Sequence, residues 1–134
     1  MQTLRKLCVS SLPLALLLIL PTSTFPQPAF GGRYFMDGNP SRVIMAHHIA
    51  DGIYRVEEPT SPWPWSGTAF RDGNKLFGIV KFRNNRTTMM LNGTIRSDGS
   101  IVISYVFLTD NSGNLLSNIG PGRGRIDNHI WYRA

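Results

Sequence analysis

The chain has 134 residues, of which 42% are apolar and only 16% charged, and its formal net charge is +6. That length holds one domain plus a targeting segment, and the composition excludes both a disordered polyelectrolyte and a bundle of membrane spans. One core is expected.

Arg5 and Lys6 precede an apolar run from Leu7 to Leu20, and Pro21, Thr22, Ser23 and Thr24 follow. Charge, short apolar stretch and small residues in that order make a secretory signal, so residues 1–24 are expected to be cleaved on export and the protein to be secreted or periplasmic. An uncleaved anchor fits less well, because residues 7–20 rise only about 21 Å as a helix against a hydrocarbon core of about 30 Å. Cys8 is the only cysteine, and Lys6 and Leu7 before it exclude a lipoprotein signal. The remaining 110 residues carry 12 basic and 8 acidic side chains, and ten of the basic ones are arginine. Guanidinium forks and stacks where ammonium does not, so this bias suits anions and aromatic faces.

Residues 25–41 are rich in Pro, Gly and aromatics without a period, which reads as an irregular tail whose Phe25, Phe30, Tyr34 and Phe35 could plug an opening. A single β domain is expected over 42–134. Turn signals recur at Asp51-Gly52, Asp72-Gly73-Asn74, Asn84-Asn85, Asp98-Gly99, Asp110 to Asn114 and Gly120 to Gly122. They separate expected strands at 42–48, 52–57, 65–71, 75–83, 87–96, 100–109, 115–118 and 123–133. Alternation places Met89, Leu91 and Ile95 on one inward face and, in the last strand, Ile126, Ile130 and Tyr132. The strand near 100–109 is apolar on both faces, and the aromatic tail is the expected cover for its outer side. Seven or eight such strands predict an all-β, up-and-down antiparallel meander closed into a small barrel, which leaves no sticky edge; a β-sandwich is the alternative.

This layout is similar, as a fold, to the small calycin-like barrels such as the lipocalins and avidins. Gly32-Arg33-Tyr34 resembles the glycine-aromatic opening of lipocalins, without their Trp or their disulfides, so no functional residue is carried over.

Pro59-Thr60-Ser61-Pro62-Trp63-Pro64-Trp65 is a stiff, polyproline-like connection holding two of the three tryptophans. Indoles there either cap the core or offer a flat stacking face at a ligand mouth. Strand counting puts this loop at one end with Arg83, Arg86 and Arg133, and puts Arg71, Lys75, Arg96, Arg123 and Arg125 at the other. The candidate ligand-binding residues are therefore Trp63, Trp65, Arg83, Arg86 and Arg133, with Trp131 as an indole remote from the loop.

Other constellations point away from chemistry. Gly120 to Arg125 lacks the Lys-Ser or Lys-Thr and the helix of a phosphate loop. His47 and His48 are neighbours in a strand and diverge, as do Glu57 and Glu58, which disfavours a metal site and a carboxylate pair. The loop from Asp110 has no calcium-loop glycine or glutamate where they belong, so a hairpin turn is expected. No nucleophile motif with a base is found. Asn85-Arg86-Thr87 and Asn92-Gly93-Thr94 match the glycosylation sequon at a rate chance explains.

The expected function is thus an exported, non-enzymatic β-barrel binding a small amphipathic or anionic ligand, with no cofactor, no metal and no nucleic acid. The alternatives are an extracytoplasmic protein-interaction module, an inhibitor or envelope-assembly factor docking through the Pro-Trp loop, and an enzyme whose residues assemble from distant positions.

Overall fold

At Asp51-Gly52, Asp72-Gly73 and Asp98-Gly99, between alternating runs, the chain reverses direction. Gly52, Gly73 and Gly99 adopt φ of 68°, 59° and 85° at these reversals, a region that costs a side chain strain. The computed structural model describes residues 28–116 and 125–134. The expected signal at 1–24, Phe25, and the stretch 117–124 with Gly120 to Gly122 and Arg123 lie outside the described residues.

Eight strands run β1 (Gly32–Met36), β2 (Val43–Ala50), β3 (Ile53–Glu58), β4 (Trp65–Asp72), β5 (Lys75–Phe82), β6 (Thr88–Ile95), β7 (Ile101–Phe107) and β8 (Ile126–Arg133). Each pairs antiparallel with the next, and β1 pairs with β8 to close the barrel. The expected closed meander is what forms, and closure removes the two-sheet alternative. Among the described residues there is no helix, and so none long and apolar enough to cross a membrane.

Three expectations need correction. Residues 32–36 lie inside the supposed irregular tail yet form β1, because Tyr34 and Met36 alternate inward between Arg33 and Phe35. Pro and Gly on both sides hide that short period. The expected strand at 115–118 does not form in its described part: Leu115 is 80% exposed and makes one isolated bridge to Thr109. Third, β8 is shifted by one residue relative to the expected faces. Trp131 is fully buried, Ile126 and Tyr132 are exposed, and Ile130 is half-buried. A one-residue slip exchanges the two faces of a strand.

Because β7 pairs antiparallel with β8 directly, the count of ends also reverses: β8 starts at the end that holds the Pro-Trp loop and finishes at the other, so Arg125 and Arg133 exchange ends. The outer side of β7 is open at Val102, 43% exposed, and buried at Val106, and Phe30 from the tail turns into the barrel instead of covering that side. Phe30 and Tyr34 do plug an opening there. The Tyr34 hydroxyl donates to the Phe30 carbonyl, and Arg133 lies over the Tyr34 ring at 4.8 Å while its guanidinium donates to the Gly31 and Ala29 carbonyls. Burial there pushes the Tyr34 hydroxyl up to about 12, against the lowering pull of Arg133.

An aromatic column fills the middle. Trp131 stacks on Trp65 at 6.3 Å and 21°, and Tyr105 meets both edge-on. On β6 the expected inward set, Met89, Leu91 and Ile95, is buried. Between β4 and β5 the walls approach so closely that a Cβ on Gly67 would stand 2.2 Å from the Ile79 carbonyl oxygen and 2.6 Å from the Val80 Cα. Backbone cannot yield as a side chain tip does, so Gly67→Ala is expected to cost about 1–3 kcal/mol or more in chemical denaturation. Wild-type stability in that variant would mean the two strands do not approach in this register.

Candidate functional site

At the end where β3, β5 and β7 finish, the column stops short and leaves a cavity of about 350 Å³. Trp65 and Tyr105 line it, whereas Trp131, one step deeper in the column, does not. Phe82 and Phe107, stacked at 5.9 Å and 27°, form a second apolar wall, and Trp63 stands at the mouth. The rigid loop holds that indole out: the Ser61 hydroxyl accepts from the Trp63 backbone N–H at 2.9 Å, and Trp63 is 70% exposed.

Charge enters this cavity in pairs. Val56 faces inward on β3, so Glu58, two residues on, does too and is fully buried. Arg42 donates to its two oxygens at 2.5 and 2.9 Å, and the Trp65 indole N–H donates to Oε1 at 3.0 Å. Hydrogen bonding to Glu58 raises the Arg42 guanidinium above its ordinary value. Asp127 and His129 also face inward because Trp131 does. Asp127 pairs with Arg125 at 3.2 Å, and Arg125 lies over the Phe107 ring at 4.6 Å.

His129 Nδ1 and Asp37 Oδ2 are 2.8 Å apart, and the other Asp37 oxygen accepts from the Ile130 N–H at 2.9 Å. Partial burial pushes the Asp37 carboxyl up, but the Ile130 and His129 hydrogen bonds outweigh it and hold the group below the usual carboxylate range. Asp37 itself sits at φ 52° in the tight β1–β2 turn, and this clasp ties that turn to β8. The arrangement is a base with its orienting carboxylate, but among the described residues no hydroxyl or thiol hydrogen-bonds to His129 to act as a nucleophile. Nor does any group of three or more His, Cys, Asp and Glu converge there as a metal site.

Tyr105 completes the polar set. Its hydroxyl accepts from the Trp131 indole at 3.0 Å, and burial pushes its ionisation well above the usual tyrosine value. It therefore keeps its proton as a hydrogen-bond donor near neutral pH.

Of the residues singled out from the sequence, Trp63 and Trp65 share this cavity. Arg83 lies outside the barrel wall, in a groove beneath the Pro-Trp loop. Arg86 is exposed at the same end, where its backbone carbonyl accepts from Thr109 at 2.9 Å, and it lines neither space. Arg133 is at the opposite end, clamping the Phe30 plug. Trp131 is no remote reporter, since its stacking on Trp65 couples it to the cavity. Sequence reasoning missed Arg42, Glu58, Tyr105, Asp127 and His129. Alternation from Val56 would have found Glu58; the other inward polar groups on β8 needed the correct register. Comparison of the chain with protein-family models, with curated proteins and with solved structures finds no match to any of them.

Proposed function

We propose that this is an exported, non-enzymatic binding barrel whose open end takes a small amphipathic molecule with a flat apolar body. The observation that carries this reading is the aromatic cavity of about 350 Å³ beside polar groups that are already paired, a size and lining typical of small-molecule sites. Arg42 with Glu58 and Arg125 with Asp127 bring two cations and two carboxylates to the lining, and His129 is held by Asp37. That balance favours an uncharged or zwitterionic ligand here over an anion. Trp63 gives a stacking face, and the Arg42 and Tyr105 donors suit a carbonyl or hydroxyl on the ligand. Export rests on the order of residues at the N-terminus alone.

Titration of tryptophan fluorescence with the neutral planar dye Nile red tests the site. Quenching that saturates is expected, with affinity falling about tenfold in Trp63→Ala, which corresponds to ~1.4 kcal/mol of stacking. Asn111→Trp, which fills the mouth from an exposed position, should abolish it. Affinity unchanged in both variants would overturn the reading. The exposure of Trp63 favours a second one, a module docking a partner protein through the Pro-Trp loop. Native mass spectrometry of the protein from its own compartment separates them: a co-purifying small molecule supports the first, a protein adduct lost in Trp63→Ala the second.

A further inference from the structure

Most basic side chains of this barrel are already engaged. Arg42, Arg55 and Arg125 pair with carboxylates, Lys75 and Arg96 donate to hydroxyls, and Arg71 and Arg133 donate to carbonyls. Arg33, Lys81, Arg83 and Arg86 have side chains with no ion pair, hydrogen bond or ring contact among the described residues. Two of these, Lys81 and Arg83, line one groove on the outer wall, of about 360 Å³, beneath the Pro-Trp loop.

The sheet register explains the convergence. Glu57 pairs with Ser66 and Ser66 with Lys81, so the three stand in one row across β3, β4 and β5, all facing out. Two strand spacings of about 4.8 Å separate the Lys81 and Glu57 backbones, and among the described residues their side chains form no ion pair with one another. Glu57 is meanwhile shared between Arg55 and His47, each at 3.4 Å. Arg83 follows Lys81 by two residues, and its backbone N–H donates to the Pro64 carbonyl at 2.9 Å, fixing it under the loop. Pro59 and Pro64 form a rim that has no N–H to offer and little freedom to move.

Three cations against one carboxylate leave the groove two positive charges in excess, with the Ser66 hydroxyl between them as a further donor. We infer that this outer groove binds a doubly charged oxoanion, the terminal phosphate of a phosphomonoester, through Lys81, Arg83 and Arg55. A phosphomonoester carries about −1.5 to −2 at neutral pH and matches that excess. Arg83 contributes a planar fork for two oxygens and Lys81 a point charge. The groove borders the aromatic cavity through Trp65 and Phe82, but the proposal does not rest on the reading given for that cavity.

Glycerol phosphate, with glycerol as the neutral control, and vesicles containing phosphatidic acid are the two probes, followed by amide chemical shifts and by vesicle co-sedimentation. Saturable shifts centred on Arg55, Ser66, Lys81 and Arg83 are expected with glycerol phosphate. The Lys81→Gln/Arg83→Gln variant, altered only at exposed positions, should weaken binding at least tenfold. Arg33→Gln and Arg86→Gln should leave it unchanged, and Glu57→Gln should tighten it several-fold by removing the one negative group. Vesicle binding that also disappears in the double variant places the phosphate on a lipid head group; glycerol phosphate binding without vesicle binding places it on a soluble molecule. Equal losses in Arg33→Gln or Arg86→Gln would show diffuse charge attraction and overturn the site, as would the absence of binding to both probes.

Discussion

Glu58→Ala is expected to destabilise the barrel by about 3–5 kcal/mol, the cost of leaving a partly buried cation without its partner. Arg42 would lose both of its hydrogen bonds, at 2.5 and 2.9 Å, and the Trp65 indole N–H its only acceptor, at 3.0 Å. Each buried donor stranded in this way forfeits its hydration without compensation. The paired replacement Arg42→Met/Glu58→Leu removes both charges, and its expected cost is much smaller, because a buried ion pair often does no more for stability than apolar groups of similar volume. Urea denaturation of the two variants checks this. A single variant as stable as the double one would mean that Glu58 is hydrated and that the bidentate pair does not form. The pair's value would then lie in the site: two of the polar groups around the aromatic cavity are fixed by this one contact.

How legible the barrel is in its sequence depends on which signal is local. Turns written as Asp-Gly or Asn-Asn are local, and the chain reverses at all of them within the described residues. Alternation on β6 is local as well, since Thr88, Asn92 and Thr94 stand on the face opposite Met89, Leu91 and Ile95, with Met90 the one apolar residue among them. On β8 both faces are apolar or aromatic in part: Ile126, Ile130 and Tyr132 on one, Trp131 on the other. Counting apolar residues chooses the first set, whereas packing chooses the larger indole, which finds Trp65 and Tyr105 across the barrel. That partner information is non-local. The same holds for β1, whose five residues become a strand only because β2 and β8 supply hydrogen bonds on both sides.

One misread strand had a disproportionate effect on the site. In an up-and-down barrel each strand added or removed reverses every later end assignment, so a strand at 115–118 puts Arg133 on the wrong rim. The Pro-Trp loop precedes that stretch in the chain, and counting sets it beside the turn at 84–86, where the structure has it: the Arg83 N–H bonds to the Pro64 carbonyl. The groups around the cavity that the sequence did not reveal share one feature. Apart from Asp127, whose partner Arg125 is two residues away, they are polar residues whose burial is compensated by partners far away in sequence, such as Arg42 with Glu58 or Asp37 with His129. Charged residues at such positions ordinarily signal an outward face.

Trp131→Ala should be the most damaging aromatic truncation, with an expected loss of about 3–5 kcal/mol. The indole is fully buried, stacks on Trp65 at 6.3 Å, lies 6.0 Å from the Tyr34 ring, and donates to the Tyr105 hydroxyl at 3.0 Å. Its removal opens a large space in the column and leaves neighbours on both sides without contacts. Ile130→Ala, at a half-buried outward position, should cost about 1 kcal/mol. The ratio of the two losses reads the register of β8 directly, because a shift by one residue would exchange them. Denaturation midpoints at constant slope give both values. Trp131→Phe adds a functional readout: it keeps much of the packing but loses the hydrogen bond to Tyr105, so the barrel should remain folded while the wall of the cavity loosens. Nile red affinity should then fall although no residue lining the cavity has been changed. Retained affinity in a folded Trp131→Phe variant would show that Tyr105 and Trp65 are positioned without it, and that the column supports the fold but not the site.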